Sequence, residues 1–181
     1  VSSLEGVTTG TNTSNLDAKA IPVTLGIYYF LPVSPKLRFS IGAGAGYYFA
    51  RFSRTTHRED NASYWLDADF TGSGGELGFQ GGIGLEYALS KNVALVIEGF
   101  GRFAKVKGFE GNRKRIDSDG LNDSFNGKFY HSERYVWTEE WLTRVSINSE
   151  PPAGDDVRNV RDLEIDFSGY TLRVGLKIKL F

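Results

Sequence analysis

Six charged residues punctuate stretches that are otherwise apolar or glycine-rich: Arg38, Glu86, Glu98, Arg102, Arg173 and Lys177. Two carboxylates in one site can do general acid/base chemistry when their protonation states are held apart. Set among guanidinium and ammonium groups, the same carboxylates form ion pairs instead, because charges withdrawn from water need partners. We expect the second outcome, a lumen charge network of these six side chains with no catalytic residue. A three-residue turn between the two glutamate-bearing strands would set Glu86 and Glu98 face to face, with Arg173 at a depth to bridge them.

Other candidates carry weaker signals. The chain has two histidines, His57 in "THREDNAS" and His131 in "FYHSERY". Acidic and hydroxyl neighbours of that kind serve rim-located hydrolases, yet no wider motif accompanies them. "DSDGLNDS" (117–124) sets Asp117, Asp119 and Asp123 around Gly120, a faint calcium-loop pattern without the full ligand series. No metal and no cofactor are therefore expected. Phe129, Tyr130, Tyr135, Trp137 and Trp141 crowd one segment. That aromatic surface could dock a protein or a glycan, or could pack a long loop on itself.

The elements that must position these groups are strands. "YTLRVGLKIKLF" (170–181) places Tyr170, Leu172, Val174, Leu176 and Ile178 at every second residue, with Arg173, Gly175 and Lys177 between them. A period of two marks a strand with two unlike faces. The same alternation runs through "IPVTLGIYYFLP", "KLRFSIGAGAGYYFARF" and "ELGFQGGIGLEYALS", and less strictly through "VALVIEGFGRFAKV". Strands are thus expected near 21–32, 36–52, 76–90, 93–106 and 168–181 of a single domain spanning 1–181. Residues 33–35 and 90–92 read as tight turns, and 1–20, 53–74 and 107–167 as polar loops. Within the last loop "GKFYHSERYVWTEEWLTRVSIN" reads as an extra hairpin turning near Thr138-Glu139-Glu140.

Composition narrows the class. The chain holds 22 Gly, 13 Phe, 9 Tyr and 3 Trp against 5 Pro, which favours β structure with crowded backbone. Charge is balanced at −1, so no nucleic-acid partner is indicated. Without cysteine there is no disulfide, thiolate metal site or thiol nucleophile. No run of about 18 apolar residues offers a transmembrane helix.

Glycine decides which face is inside. Gly42, Gly44 and Gly46 share the polar face of one strand, and Gly78, Gly82 and Gly84 that of another. Water-facing strand positions normally carry Thr, Lys or Glu, since Gly costs backbone entropy and packs nothing. Rows of glycine suit a narrow inner wall opposite large side chains. The Leu, Ile, Val and Phe face then points outward, to lipid, in a closed antiparallel barrel. Alternating strand direction gathers Tyr28, Tyr29, Phe30, Tyr87 and Phe181 at one membrane edge. Tyr47, Tyr48, Phe49, Phe79, Phe103 and Tyr170 gather at the other, giving two aromatic girdles.

In these stretches ("IPVTLGIYYFLP", "IGAGAGYYF", "GFQGGIGLEYALSKN" and the strand to Phe181) the chain resembles the outer-membrane β-barrel domain family. These are small, usually eight-stranded barrels of the opacity-protein and OmpX/OmpW type. The resemblance covers roughly 21–106 and 168–181. It implies an all-β, up-and-down transmembrane barrel in the bacterial outer membrane, with short periplasmic turns and long extracellular loops. It also implies contact with outer-membrane lipid, and insertion by the barrel-assembly machinery, with Phe181 as the assembly signal. Phe181 follows Leu180 and so leaves the apolar face of its strand. Five strands are an odd number, so about three N-terminal strands are expected beyond this chain. The expected role is non-enzymatic, structural or surface-binding through the long loops. A narrow channel is the alternative, and a rim hydrolase the remote one.

Overall fold

A computed structural model describes residues 10–60, 64–136 and 139–179. Trp137 and Phe181, both singled out in the sequence, lie outside the described residues. The architecture is all-β: β1 (Gly10–Pro32), β2 (Leu37–Asp60), β3 (Tyr64–Ala88), β4 (Val93–Phe103), β5 (Lys105–Val106), β6 (Glu110–Asp117), β7 (Asn122–Tyr135), β8 (Trp141–Asn148), β9 (Val157–Asp162), β10 (Ile165–Asp166) and β11 (Gly169–Ile178).

The chain packs as two compact units. One takes Ala20–Phe49, Gly75–Val106 and Ile165–Phe181; the other takes Ala50–Gly74 and Lys107–Glu164 with the chain up to Lys19. Strands β1, β2 and β3 run from one unit into the other, and each unit is described by itself.

In the first unit the sheet order is β1-β2-β3-β4-β11. Its antiparallel register runs Phe79↔Phe103 to Ala88↔Ala94 between β3 and β4, and Gly169↔Arg102 to Ile178↔Val93 between β4 and β11. Four-residue connections close its short-turn end: Val33 and Ser34 N–H both reach the Leu37 carbonyl, and Leu89 and Ser90 N–H the Val93 carbonyl. The faces are inverted relative to a water-soluble sheet. Leu25 is 84% exposed, Phe79 61% and Leu172 75%, whereas Tyr48 on the opposite face is 1% exposed. Burying large apolar side chains is the main stabilising term in water. A sheet that shows them outward belongs in lipid.

The glycine rows explain the inner face. A Cβ on Gly42 would come within 2.5 Å of the Tyr28 ring, one on Gly82 within 2.5 Å of Phe100, and one on Gly78 within 2.5 Å of Tyr48. These three glycines are each the seat of a ring. Tyr28 stands edge-on to Phe100 at 6.5 Å. This corrects the expected girdles in three places: Tyr28, Phe30 and Tyr48 lie on the inner face, because even-numbered residues of β1 and β2 turn inward whatever their depth.

In the second unit the polar stretches expected as loops are strands. β1 begins at Gly10, not near 21, and β2 and β3 extend to Asp60 and from Tyr64. β6 pairs with β3 (Leu66↔Asp117 to Ser73↔Glu110) and β7 with β6, β8 and β9. The hairpin expected in 127–148 is present as β7–β8, with Tyr135 opposite Trp141. Three phenylalanines distant in sequence hold this unit. Phe52 lies 5.3 Å from Phe109 and 4.8 Å from Phe129, both edge-on, and Phe109 and Phe129 are fully buried. Such pairs add about 0.5–1.5 kcal/mol beyond the area they bury. Gly72 leaves the room, its absent Cβ falling against the Phe52 ring.

Candidate functional site

On the inner face of the first unit the six expected charges separate into two groups. Near the short turns, Lys177 Nζ donates to Glu86 Oε2 at 2.9 Å, and Arg38 Nη1 stands 4.0 Å from Glu86 Oε1. The Glu86 side chain is 14% exposed against 48% for Lys177 and 46% for Arg38, so the carboxylate is the sheltered member. Toward the other end, Arg102 Nε donates to the Phe167 carbonyl at 2.8 Å and its guanidinium lies 6.0 Å from the Tyr48 ring centre. The Arg173 guanidinium covers the Phe100 ring at 5.2 Å. Cations over aromatic faces gain from the ring quadrupole without a carboxylate.

Glu86 and Glu98 do not face each other. With Ala88 opposite Ala94, the ladder sets Glu86 against Val96 and Glu98 against Gly84. Glu98 instead has Arg173 as its cross-strand neighbour on β11. The turn closes on the Leu89–Val93 pair around 90–92 as expected, and a ladder counted from that closure sets position 86 opposite 96, not 98. Like charges directly opposite are destabilising, and the offset removes that contact. Arg173 therefore does not bridge the two glutamates; Lys177 takes Glu86.

Three cations beyond those six adjoin the first group. Lys36, Lys91 and Lys179 line, with Arg38, Glu86 and Lys177, a cavity of about 570 Å³ at the short turns. Lys36 and Lys91 sit in turns, where a period of two carries no information, and Lys179 follows Lys177 by parity. A second inner-face cavity of about 300 Å³ is lined by Thr24, Tyr28, Gln80, Arg102, Thr171 and Arg173, among others.

In the second unit the aromatic segment is ordered by charge. The Arg158 guanidinium stacks 4.0 Å from the Trp141 ring centre, and Arg158 Nε donates to Glu133 at 2.7 Å. Tyr135 meets Trp141 at 5.3 Å, and Arg134 Nε donates to Asp156 at 2.7 Å. Arg158 holds the Glu133 carboxyl below its ordinary range, and Arg134 does the same to Asp156. Tyr130 lies apart, buried at 5% exposure with Lys128 over its ring, so it is not part of the exposed surface. Arg158 was not legible as a partner, since no periodicity links it to Trp141.

His57 and the 117–124 segment make local contacts. His57 Nδ1 and Asp67 Oδ1 are 2.5 Å apart, each about half exposed, and this hydrogen bond raises the imidazole above its ordinary value. Asp117 Oδ1 accepts the backbone N–H of Asp119 and of Leu121, both at 3.0 Å, closing a turn through Gly120 at φ 91°. Asp123 pairs with Arg113 at 2.5 Å. Among the described residues no three His, Asp or Glu side chains form a metal-binding group.

An antiparallel sheet with short hairpins, an apolar face turned outward and a small, charged face turned inward defines a transmembrane β-barrel protein. The family model for the outer membrane protein β-barrel domain matches residues 2–180, and the chain belongs to that family. Its place is the bacterial outer membrane. Comparison with curated proteins gives no significant match.

Proposed function

We propose that this barrel is a non-enzymatic surface-interaction protein that binds an extracellular protein or glycan through the β structure of its second unit. The observation that carries this reading is the Tyr135–Trp141–Arg158–Glu133 array, in which stacking and charge hold a tryptophan ready before any ligand arrives. Tyr135 is 43% exposed. Preordered aromatic residues bind at low entropic cost and dominate many interfaces. In this reading the long connections face the exterior of a Gram-negative cell and the short turns face the periplasm. The exposed rings of Tyr29 and Tyr87, and of Tyr47, Phe49, Phe79, Phe103 and Tyr170, are girdles at the two lipid interfaces.

The test is binding of the detergent-solubilised protein to glycan arrays and to extracellular-matrix proteins, with Trp141→Ala and Tyr135→Ala beside it. Binding that falls in both variants, while the gel shift on heating stays intact, supports the reading. A wild-type protein that binds neither class overturns it. The polar cavity around Gln80, Arg102 and Arg173 favours a second reading, a narrow channel for small solutes. Planar-bilayer recording with no single-channel events, even after neutralising Glu98 and Arg173, would exclude it.

A further inference from the structure

The 570 Å³ cavity at the short turns of the first unit is lined by five cationic side chains (Lys36, Arg38, Lys91, Lys177 and Lys179) against the single carboxylate of Glu86. That carboxylate is already shared by Lys177 at 2.9 Å and Arg38 at 4.0 Å. The other ammonium groups are gathered in one concavity without an equal number of anions. Repulsion between them disfavours the arrangement unless a counter-charge enters.

Neutral donors add to the set. Ser34 Oγ accepts the Leu37 N–H at 3.1 Å, and Ser90 Oγ accepts those of Asn92 and Val93 at 3.3 and 3.1 Å. Each hydroxyl keeps its own proton to donate, and both serines line the cavity. Lysines at a membrane edge commonly reach out to lipid headgroups. For Arg38 and Lys177 the strand parity speaks against that use. Lys177 and Arg38 fall with Glu86 on the inner, glycine-bearing face, opposite to Leu176, Ile178 and Leu85, which face outward.

We infer that this cavity is a binding site for a phosphate group, held by Lys36, Lys91 and Lys179 with the Ser34 and Ser90 hydroxyls, while Glu86 keeps Arg38 and Lys177 in place. Ammonium groups bind phosphate oxygens by charge-assisted hydrogen bonds. The site does not depend on whether the barrel conducts or on what its outer surface binds.

The experiment reconstitutes the full chain in nanodiscs of neutral phosphatidylcholine and titrates inorganic phosphate by calorimetry. Saturable binding is expected, weakened roughly tenfold or more in the triple variant Lys36→Gln/Lys91→Gln/Lys179→Gln. Glu86→Gln is expected to bind at least as tightly, because it removes the competing anion. A second arm adds phosphatidylglycerol and measures its enrichment around the protein. Enrichment lost in the triple variant, without binding of free phosphate, assigns the phosphate to a lipid headgroup. If neither free phosphate nor phosphatidylglycerol distinguishes wild type from a folded triple variant, the inference is overturned.

Discussion

Gly78→Ala is the sharpest test of the inner face. A Cβ at this position would lie 2.5 Å from the Tyr48 ring and 2.7 Å from the Phe103 carbonyl oxygen, both closer than the 3.0 Å that real Cβ atoms keep. The ring cannot easily move, because Tyr48 is 1% exposed. The carbonyl belongs to β4, so relief there means separating paired strands. Forcing one extra carbon into a filled site costs about 1–3 kcal/mol. Gly99→Ala, on the neighbouring strand but on the outward face, is the matched control, since its added Cβ meets nothing within 4 Å. Removing a glycine from a strand there is neutral or stabilising by about 0.4–1 kcal/mol. The two single-carbon additions should therefore differ by about 2 kcal/mol in urea unfolding of the detergent-folded protein, with equal m-values. Equal midpoints would refute the assignment of Tyr48 and Gly78 to a crowded inner wall.

Two further outcomes follow from the charge geometry. A double-mutant cycle of Glu86→Gln and Lys177→Gln should return a coupling of about 0.5–1 kcal/mol, modest because the lysine is half exposed, and a coupling of zero would dissolve the pair. The His57–Asp67 hydrogen bond raises the imidazole pKa above 6.5, so its contribution is fully present below the unfolded value and is lost as pH rises through the higher folded one. Protease resistance of the β2–β3 hairpin should accordingly weaken on that rise, and His57→Gln should flatten the profile; an unchanged profile in the variant would assign the pH effect elsewhere.

The lipid-facing strands were legible because each repeats one rule, apolar outward and small or charged inward, for ten residues or more. The second unit was not. "SRTTHREDNASYWLDADF" is polar on both faces, as a strand may be when water lies on both sides, so alternation vanishes although the ladder remains. Its packing rests on Phe52, Phe109 and Phe129, whose approach no local pattern announces. The six charges share the glycine-bearing face by strand parity, and the ladder counted from the Leu89–Val93 closure sets Glu98 beside Gly84 and Arg173, not Glu86. The three displaced rings show the same hierarchy. Depth suggested a girdle for Tyr28, Phe30 and Tyr48, and parity turned them inward.

Strand direction also constrains how the sheet can close. Among the described residues β1 pairs with β2 and β11 with β4, leaving one edge of each without a ladder partner. In lipid an open edge leaves backbone groups unsatisfied at several kcal/mol each, so it has to be covered. β4 runs away from the short turns and β11, antiparallel to it, runs toward them, which is also the direction of β1 over Ala20–Pro32. The two free edges are therefore parallel to one another and cannot join as antiparallel neighbours. A second copy inserted the same way meets the same obstacle, since rotation about the membrane normal keeps every strand's direction.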